Sequence, residues 1–527
     1  MIDVLSVENM RKSDADTIEK GTSGRELMMR AAKGVYESVK EQCGGHWKAP
    51  VAIVCGSGNN AGDGYAIALL LKDDGVDCSV FCVCDRFSDD GRYYYDKCVE
   101  AGVKIIEKTV KGPDPQEGSY VNLTGYNTVV DCMLGTGFKG EVRPELKSVI
   151  EAINASGAFV VSVDINSGLN GDTGMVYTCV RSDLTVSVGG FKPGHFLNMA
   201  KDVMKDKVNV DIGIRPVDEP YKLTESEDVA ALIGTRSNYS NKGTYGYTAL
   251  IGGSTRYSGA IRLAYLANAA MRSGAGVVKV ALPSSLVHDV APHILESTLF
   301  PLSYSKVMST NTNDDLNRED FGVAYVPEEI DELVSNVKTV AFGMGIGTGD
   351  GASKILEHLI MKFSRTLIID ADGLTILSKT DKDIIGSSKA RIVLTPHIKE
   401  FSRLSGLEIS QILEDPIGHA RSYAKECGVV LLLKGPSTIV TDGDRVYITD
   451  RGCAGMATAG SGDVLSGIIA AVCSYSEDKC LAAVAAAYIN GAAGELAEER
   501  VGAVSMIAGD TVAAIPEVIN NNIFKCV

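Results

Sequence analysis

The sequence predicts two α/β domains, each built on a parallel sheet that helices cover on both faces. Three observations support this prediction. The chain has 527 residues, more than one typical domain holds. In both halves short apolar runs alternate with helical stretches, a pattern typical of buried parallel strands. The alternation breaks between Asp202 and Asn241, where charges and prolines replace any sustained periodicity. We therefore expect an interdomain connection there and domains at 1–218 and 226–527.

The first half supplies the elements of one such sheet in order. Leu27, Ala31, Val35 and Val39 recur every four residues and predict one face of a helix. The run "APVAIVCGSG" predicts a strand that ends in glycines, and "YAIALLLKDDG" predicts a helix that a glycine closes. Further strands are predicted at "VDCSVFCVC", "NTVVDCMLG", "AFVVSVDINSG" and "DLTVSVGG", with a helix at "PELKSVIEAINASG".

A second series of strands begins after the break. Strands are predicted at "YTALIGGS", "GVVKVALP", "KTVAFGMGIG", "RTLIIDADGL", "ARIVLTPH" and "GVVLLLKG", with helices such as "GAIRLAYLANAAMRSG" between them. The run "STIVTDGDRVYITD" predicts a hairpin that turns at Asp442 and Gly443. The polar tract from Ser303 to Asp320 is expected to be a surface excursion.

Composition excludes several classes of protein. A net charge of −16 argues against a nucleic-acid surface. The number of cysteines, thirteen, is odd, and several of them lie in apolar runs. This pattern indicates reduced, buried thiols and therefore a cytoplasmic protein. The spacing from Cys78 to Cys84 could bind a metal, but its strand-like pattern favours packing. We find no signal-peptide core and no uninterrupted apolar run that could span a bilayer, so we expect no membrane contact. We also expect a homo-oligomer.

Three loops of the first half follow predicted strands, where ligands bind to open parallel sheets. The loop from Gly56 to Gly64 reads "GSGNNAGDG", Asp131 opens "DCMLGTGFKGE", and Asp164 and Ser167 lie in "DINSGL". Each aspartate alone would usually be a turn or capping residue. Together the loops bring carboxylates, amides and a hydroxyl to one sheet edge. That set suits a hard cation, an acid–base step, or both.

These three motifs, in this order and spacing, resemble the N-terminal NAD(P)H-hydrate epimerase domain, which is Rossmann-like, over roughly residues 1–215. The resemblance implies contacts with the hydrated dinucleotide from Asn59, Asn60, Ala61, Gly62, Asp63, Gly135, Thr136, Gly137, Phe138, Lys139, Gly140, Glu141 and Asp164. It implies that Asn60, Asp131 and Ser167 bind potassium. Asn166 stands where the family usually has proline, which alters the stiffness of the loop.

The implied chemistry needs a carboxylic acid that gives and takes one proton. The damaged cofactor carries a hydroxyl on C6 beside ring N1, and protonation of that hydroxyl lets the N1 lone pair expel water. Asp164 and Asp131 are both candidates for this catalytic acid and base. We favour Asp164, because the cation would occupy Asp131.

A glycine-rich turn in the second half, "GMATAGSGDVLSG" from Gly455 to Gly467, runs into an apolar helix. Its backbone N–H groups and the helix N-terminus suit an anion such as phosphate. Asp463 at the helix start could take a proton from an attacking hydroxyl, and Lys434 at a strand end could reach a phosphate. Alternatively, Asp463 would only stabilise the first helical turn and Lys434 would be solvated.

From about Glu227 to the end, the chain is similar to the ADP- or ATP-dependent NAD(P)H-hydrate dehydratases, which have a ribokinase-like fold. The similarity implies that the hydroxyl of the hydrate is phosphorylated and that phosphate then leaves. It implies substrate contacts from Ala260, Gly347, His397, Ile398, Lys399, Glu400, Phe401, Ser402 and Arg403, with Asp463 as the catalytic base. It implies nucleotide contacts from Lys434, Gly435, Pro436, Ser437, Thr438, Cys453, Ala454, Gly455, Met456, Ala457, Thr458, Ala459, Gly460, Ser461 and Gly462. Asn241 replaces a usual histidine, and Cys453-Ala454 replaces a usual Asn-Pro.

Two functions from different classes remain open. The first is a bifunctional repair enzyme that epimerises and dehydrates hydrated NADH and NADPH (NADHX and NADPHX), with K⁺ in the first domain and ADP or ATP, with Mg²⁺, in the second. The second is a vitamin-type small-molecule kinase with a regulatory dinucleotide-binding domain. The three N-terminal motifs favour the repair enzyme, since such a kinase would lack them. The sequence leaves the donor open, with ADP favoured over ATP.

Overall fold

The structure is a computed structural model that describes residues 1–107, 121–254, 269–307, 320–380 and 383–523. The chain divides into two compact units. One comprises Asp3–Tyr221, and the other comprises Lys222–Val527 together with Met1–Ile2.

The first unit is a parallel sheet with helices on both faces. Its sheet has the order β4-β3-β2-β5-β6-β7-β8, and every neighbouring pair is parallel. The strands of this part of the chain are β1 (Ile2–Val4), β2 (Val51–Cys55), β3 (Cys78–Cys82), β4 (Lys104–Glu107), β5 (Thr128–Cys132), β6 (Phe159–Val163), β7 (Ser182–Val188) and β8 (Met204–Val210). The helices are α1 (Val7–Glu19), α2 (Gly24–Gln42), α3 (Asn59–Asp73), α4 (Asp89–Glu100), α5 (Pro144–Asn154) and α6 (Ala200–Val203).

Alternate residues of the strands belong to different hydrophobic clusters. Along β2, Val51, Ile53 and Cys55 pack with α2, α3 and α4, whereas Ala52 and Val54 pack with α5 on the other face. All four residues of the predicted apolar face of α2 are buried, which confirms that prediction. Burial on both faces also explains why these strands read as continuous apolar runs. The predicted three-layer α/β class is therefore confirmed.

The connection predicted between Asp202 and Asn241 contains regular structure, a strand at Met204–Val210 and a helix at Ser226–Ile233. Met204–Val210 forms β8, which pairs with β7 along its whole length and lies at the sheet edge. Its sequence "MKDKVNV" contains charged residues because an edge strand exposes much of its surface. The polar composition of this strand explains why the sequence did not predict it.

The second unit holds a larger sheet and most of the helices. Its strands are β9 (Tyr221–Leu223), β10 (Tyr247–Gly252), β11 (Val277–Pro283), β12 (Thr298–Leu302), β13 (Tyr304–Val307), β14 (Asp320–Val323), β15 (Thr339–Met344), β16 (Thr366–Ile369), β17 (Arg391–Leu394), β18 (Val430–Leu433), β19 (Thr438–Thr441) and β20 (Val446–Thr449). Its helices are α7 (Ser226–Ile233), α8 (Ala269–Arg272), α9 (Val287–Val290), α10 (Pro327–Val334), α11 (Asp350–Lys362), α12 (Asp372–Leu377), α13 (Asp383–Gly386), α14 (Ile398–Ser405), α15 (Ile409–Glu414), α16 (Pro416–Cys427), α17 (Ser461–Tyr475), α18 (Lys479–Val501) and α19 (Ala508–Glu517).

The order of this sheet from β9 onward is β9-β20-β19-β18-β17-β16-β15-β10-β11-β12. The pairs from β18 to β12 are parallel. β19 and β20 form the predicted antiparallel hairpin. β13 and β14 form a separate antiparallel pair, so the ends of the tract predicted as a surface excursion are strands. Most of that tract lies outside the described residues.

One helix, Lys479–Val501, has the length and apolar composition of a membrane span, although no uninterrupted apolar run was found in the sequence. Within its most apolar window, 83% of the residues are buried inside the protein. Its alanines pack against α17 and the sheet in the main hydrophobic cluster of this unit. The helix is therefore explained as a core helix.

Candidate functional sites

The first site is a cavity of about 590 Å³ at the carboxyl ends of β2, β5 and β6. Strand order reverses between β2 and β5, which is where open α/β sheets form a ligand crevice. The predicted residues that line it are Asn59, Asn60, Asp63, Gly135, Thr136, Gly137, Phe138 and Asp164. Ala61 and Gly62 lie in the first turn of α3, and Lys139, Gly140 and Glu141 lie in the loop after β5; these five are not among the lining residues.

Asp131 does not line this cavity but lies fully buried beside it. Its Oδ1 accepts hydrogen bonds from the Ser167 hydroxyl (2.6 Å) and the Met133 N–H (3.2 Å). Its Oδ2 accepts from the Ser167 N–H (2.9 Å) and the Ser162 hydroxyl (3.0 Å). Burial raises the pKa of Asp131, and these four donors oppose that rise. The carboxyl thus fixes the loop after β6 to the end of β5.

Asn60, at the start of α3, has an amide oxygen without a hydrogen-bond partner in the described part of the chain. Its Nδ2 donates to the carbonyl of Leu134 (3.2 Å), and the Ser167 hydroxyl lies 3.3 Å from the same carbonyl. The Oδ1 of Asn60 is buried and has no hydrogen-bond partner among the described residues. A buried amide oxygen without a partner is a group that a cation with oxygen ligands would satisfy.

Asp164 faces the cavity and is held by a lysine that the sequence analysis missed. The Nζ of Lys192 lies 2.5 Å from Oδ1 of Asp164, and the exposed fractions of the two side chains are 1% and 17%. Lys192 also donates to the carbonyl of Val188 (2.9 Å). Lys192 lies in the segment "FKPGH", which is typical of an ordinary turn. Its contact with Asp164 arises because β6 and β7 are neighbours in the sheet.

The backbone around Asp164 is strained and braced. Asp164 has φ +66°, which few non-glycine residues adopt. The Nε2 of His195 lies 2.8 Å from the carbonyl of Asp164, and its Nδ1 accepts the N–H of Lys192 (2.9 Å). Burial, helped by the charge of Lys192, lowers the pKa of His195 to about 4. The neutral imidazole thus fixes both residues of the ion pair, and strain held this way is typical of functional sites.

Helix α1 contributes two further charged residues to the cavity, Arg11 and Asp14. A Cβ placed on Gly137 would lie 3.0 Å from a terminal nitrogen of Arg11, so this cation lies directly over the loop after β5. Burial raises the pKa of Asp14. Neither residue was predicted to belong to the site, because both lie on a helix far from the loop motifs.

The second site lies at the carboxyl ends of β15 to β18, near the start of α17. The Nζ of Lys434 is 3.0 Å from Oδ1 of Asp370 and 3.9 Å from a carboxylate oxygen of Glu400. The hydroxyl of Ser466 on α17 donates to Oδ2 of Asp370 (2.6 Å). Burial disfavours the charged lysine, but Asp370 and Glu400 outweigh it and raise the pKa of Lys434. Lys434 is thus a paired, charged residue, and not a solvated strand end.

Asp463 occupies the first turn of α17 beside this ion pair. Burial and the neighbouring carboxylate of Asp370 raise its pKa to about 7, although Lys434 opposes the rise. A carboxylate that only stabilised a helix N-terminus would have a low pKa, because the helix dipole favours its charged form. The pKa of Asp463 instead suits a group that exchanges a proton near neutral pH.

The glycine loop before α17 presents backbone N–H groups to the same place. Gly460 has φ +93° and caps the helix, so the chain turns sharply into its first turn. A Cβ on Gly462 would lie 3.5 Å from Nζ of Lys434 and 3.8 Å from Oδ2 of Asp370, which places this glycine against the ion pair. The hydroxyl of Ser461 is buried and without a partner among the described residues. First-turn N–H groups lack helical acceptors and can bind an anion.

His397 caps the N-terminus of α14. Its Nδ1 accepts the N–H groups of Lys399 (3.1 Å) and Glu400 (3.2 Å). Burial lowers its pKa. The cap holds Glu400 near Lys434. Ile398, Phe401, Ser402 and Arg403 continue the same helix, in which Phe401 is buried.

Gly347 lies in the loop after β15, at the point where strand order reverses between β10 and β15. Its N–H donates to Oδ2 of Asp372 (2.8 Å), the second aspartate of "DADGL". Asp370 and Asp372 are functional candidates that the sequence analysis quoted in a motif without a role. Ala260, predicted to contact the hydrate, lies outside the described residues.

The remaining predicted nucleotide residues lie in two segments of the chain. Gly435, Pro436, Ser437 and Thr438 follow Lys434, and Ser437 donates to Asp450 (2.7 Å). A short 3₁₀ turn spans Ala454–Met456, and the N–H of Gly455 donates to Glu498 (2.7 Å). Cys453, Ala457, Thr458 and Ala459 flank this turn. These two hydrogen bonds fix the positions of the two segments.

Comparison with known proteins gives the family. Residues 248–517 match the family model described as NAD(P)H-hydrate dehydratase, and residues 24–194 match the model of the YjeF-related protein N-terminus. The bifunctional NAD(P)H-hydrate repair enzyme Nnr of Hyperthermus butylicus is 33% identical over 522 residues, which cover 97% of this chain and 91% of the relative. The chain belongs to the bifunctional NAD(P)H-hydrate repair enzyme family.

Other members of the repair enzyme family match as fully. The Nnr enzyme of Moorella thermoacetica is 32% identical over 516 residues, 94% of this chain and 92% of the relative. Among solved structures, the ADP/ATP-dependent NAD(P)H-hydrate dehydratase of Bacillus subtilis, co-crystallised with ATP and Mg²⁺, is 24% identical with a TM-score of 0.48. That match covers 57% of this chain and 98% of the solved one. The two family models and the full-length relatives confirm the resemblance seen in the sequence.

Proposed function

We propose that this repair enzyme epimerises hydrated NADH and NADPH in its first unit and dehydrates the S epimer in its second. The division follows the predicted domains, 1–218 and 226–527. The observation that carries the proposal is the placement of Asp463, a carboxyl with a pKa of about 7, beside Lys434 and a glycine loop. A base, a cation and an anion-binding turn are the parts that phosphoryl transfer to a hydroxyl requires.

In the second unit, Asp463 takes the proton of the C6 hydroxyl while that oxygen attacks the terminal phosphorus of the nucleotide. The bond from this phosphorus to the nucleotide breaks, and the C6 oxygen carries the phosphoryl group. Lys434 and the N–H groups of the loop 455–462 stabilise the charge that develops on the phosphoryl oxygens. Phosphate then leaves C6, C5 loses a proton, and the 5,6 double bond of the nicotinamide is restored. Phosphorylation is needed because hydroxide is a poor leaving group.

The nucleotide is ADP or ATP, with Mg²⁺, and we favour ADP. The loop from Cys453 to Gly462 and the segment from Lys434 to Thr438 would hold it. The orphaned hydroxyl of Ser461 supports this placement, because a phosphate oxygen would satisfy it. Gly347 and the segment His397 to Arg403 would hold the hydrate, together with Ala260.

In the first unit, Asp164 exchanges a proton at C6 as water leaves and returns. Asp164 lines the cavity and Asp131 does not, which favours Asp164 over the other candidate. The lining residues Asn59, Asp63 and Gly135 to Phe138 would contact the dinucleotide. Loss of water at C6 gives a planar centre, to which water can return from either face.

Potassium would be held by Asn60, Asp131 and Ser167, as the family resemblance implies. The unpaired Oδ1 of Asn60 fits this role, because a buried amide oxygen is unfavourable unless something satisfies it. The ion would brace the loops after β2, β5 and β6 against each other. We further propose a cytoplasmic homo-oligomer that contacts neither nucleic acid nor membrane. The reduced cysteines of the described residues and the buried helix Lys479–Val501 support the location.

The test is to incubate the full chain with mixed R and S hydrates, with and without each nucleotide, and to follow the absorbance of the reduced nicotinamide. We expect recovery of both epimers only with ADP or ATP. Phosphorylation of a vitamin-type alcohol without recovery of NAD(P)H would favour the alternative kinase.

A further inference from the structure

We propose that Asp63 and Asp164 form a proton-transfer pair in the cavity of the first unit, in which Asp164, paired with Lys192, is the base and Asp63 is the acid. Both carboxyls line the same cavity, but they come from different elements. Asp63 is in the second turn of α3, and Asp164 follows β6. The proposal rests on the epimerase activity proposed above.

The ion pair explains why Asp164 is the base. Lys192 is almost completely buried, and its Nζ lies 2.5 Å from Oδ1 of Asp164. A buried ammonium needs a carboxylate partner, because an unpaired charge is very unfavourable at such depth. Asp164 is therefore the counter-ion of Lys192. His195 fixes the backbone of both residues, so the geometry of the pair does not depend on a substrate.

Asp63 lies in the opposite electrostatic environment. No residue among those that the structure describes donates a hydrogen bond to its carboxyl, and no cation pairs with it. The charged groups that line the cavity around it are Arg11, Asp14, Asp90, Asp164 and Lys192, and Tyr94 and Cys132 lie near enough to interact with it. Burial, followed by the charges of Asp164 and Asp14, raises the pKa of Asp63 well above its usual range, and Lys192 only partly opposes this. Two carboxyls in one pocket with opposite environments divide the roles of acid and base.

This pair matches what epimerisation at C6 requires. Asp63 donates its proton to the C6 hydroxyl, the C6–O bond breaks, and the N1 lone pair forms an N1–C6 double bond as water leaves. A second water then attacks C6 from the other face, and Asp164 accepts its proton. The proton returns from Asp164 to Asp63, which restores the ion pair between Asp164 and Lys192. One carboxyl alone would have to serve both faces of the ring.

The decisive experiment measures exchange between R and S hydrates by the full chain from about pH 5 to pH 10, after subtraction of the uncatalysed exchange. The wild type should give a bell-shaped profile, since it needs Asp164 ionised and Asp63 protonated. Asp63→Asn keeps the shape and a hydrogen-bond donor but cannot give a proton. It should lower kcat about 10²-fold or more, change KM little, and abolish the alkaline limb.

Two further variants make the result interpretable. Lys192→Met should move the acidic limb to higher pH, a shift that a merely structural role would not produce. Asp73→Asn changes an exposed carboxylate at the other end of α3 and should leave the profile unchanged. The dehydration rate of each variant verifies that the second unit is intact.

The pair is disproved if Asp63→Asn keeps the wild-type kcat and alkaline limb with only KM raised, because Asp63 would then only bind substrate. It is equally disproved if Lys192→Met leaves the acidic limb in place. A wild-type chain that exchanges no epimers above the uncatalysed rate would instead refute the proposed epimerase itself.

Discussion

Lys434 and Asp370 form an ion pair with 3.0 Å between Nζ and Oδ1, and it joins three elements of the second unit. Lys434 follows β18, Asp370 follows β16, and Oδ2 of Asp370 accepts the Ser466 hydroxyl of α17. The side chain of Asp370 is only 3% exposed. The pair thus fixes the start of α17, and with it Asp463, relative to the strand ends.

Lys434→Met should impair both stability and chemistry. It leaves the Asp370 carboxylate buried and unpaired, which lowers the free energy of unfolding by about 3 kcal/mol. Because Lys434 lowers the pKa of Asp463, its loss should also move the dehydration rate profile to higher pH. The matched control is Lys425→Met, which breaks an exposed pair with Asp444 and should change stability by less than about 1 kcal/mol. Equal effects of the two variants on thermal unfolding would contradict the role of the pair.

Asp164→Asn should separate the two activities within one chain. The variant cannot exchange a proton at C6, so epimer exchange should fall to nearly the uncatalysed rate. The second unit does not use this residue, so the S epimer should still be dehydrated with ADP or ATP. Chromatography of the remaining hydrates should then show the R epimer left over. Consumption of both epimers at the wild-type rate would argue against this assignment.

Removal of potassium should affect the first unit alone. Exchange of K⁺ for a large organic cation leaves Oδ1 of Asn60 without a partner, and epimer exchange should fall while dehydration in the second unit continues. Asn60→Leu should be slow in either salt, because the amide oxygen is gone. An epimerisation rate that is the same in both salts for the wild type would eliminate the proposed ion.

Gly56→Ala should destabilise the first unit, whereas Gly58→Ala should not. A Cβ on Gly56 would lie 2.0 Å from the backbone carbonyl oxygen of Met133, so the loop after β5 must move. A Cβ on Gly58 would meet nothing within 4 Å, and its φ of −103° is open to alanine. We expect a loss of about 1–3 kcal/mol for Gly56→Ala and less than about 0.5 kcal/mol for Gly58→Ala. Thermal unfolding followed by circular dichroism measures both, and similar values would refute the close approach.

Much of this fold was predictable because it depends on local patterns. Buried strands read as apolar runs, and glycines mark the loops at which strand order reverses, so Asp164, Lys434 and Asp463 could be chosen from the sequence. The edge strand β8 could not, because one exposed face lets polar residues interrupt its pattern. Because Met204–Val210 lacks a sustained alternating apolar pattern, its sequence predicts a linker and not a strand.

The missed residues are those whose role depends on contacts across the sheet. Asp370 was part of a quoted motif, but only the neighbouring ends of β16, β17 and β18 show that it pairs with Lys434. Lys192 follows β7 and pairs with Asp164, which lies 28 positions earlier and follows the neighbouring strand β6. Sequence spacing carries no direct information on such contacts, whereas a loop motif carries its chemistry within a few residues.

The most direct test of the account is Asp463→Asn, measured by single-turnover dehydration of the S hydrate and by nucleotide binding on the same variant. The substitution keeps the loop and its N–H groups but cannot accept the hydroxyl proton. We predict that the wild-type rate rises with pH through about 7, as Asp463 becomes ionised, and that the variant is at least about 10²-fold slower and lacks this rise. Nucleotide affinity should persist or increase, since a charge near phosphate is removed. A near-wild-type rate with the same pH dependence would contradict the kinase-like mechanism.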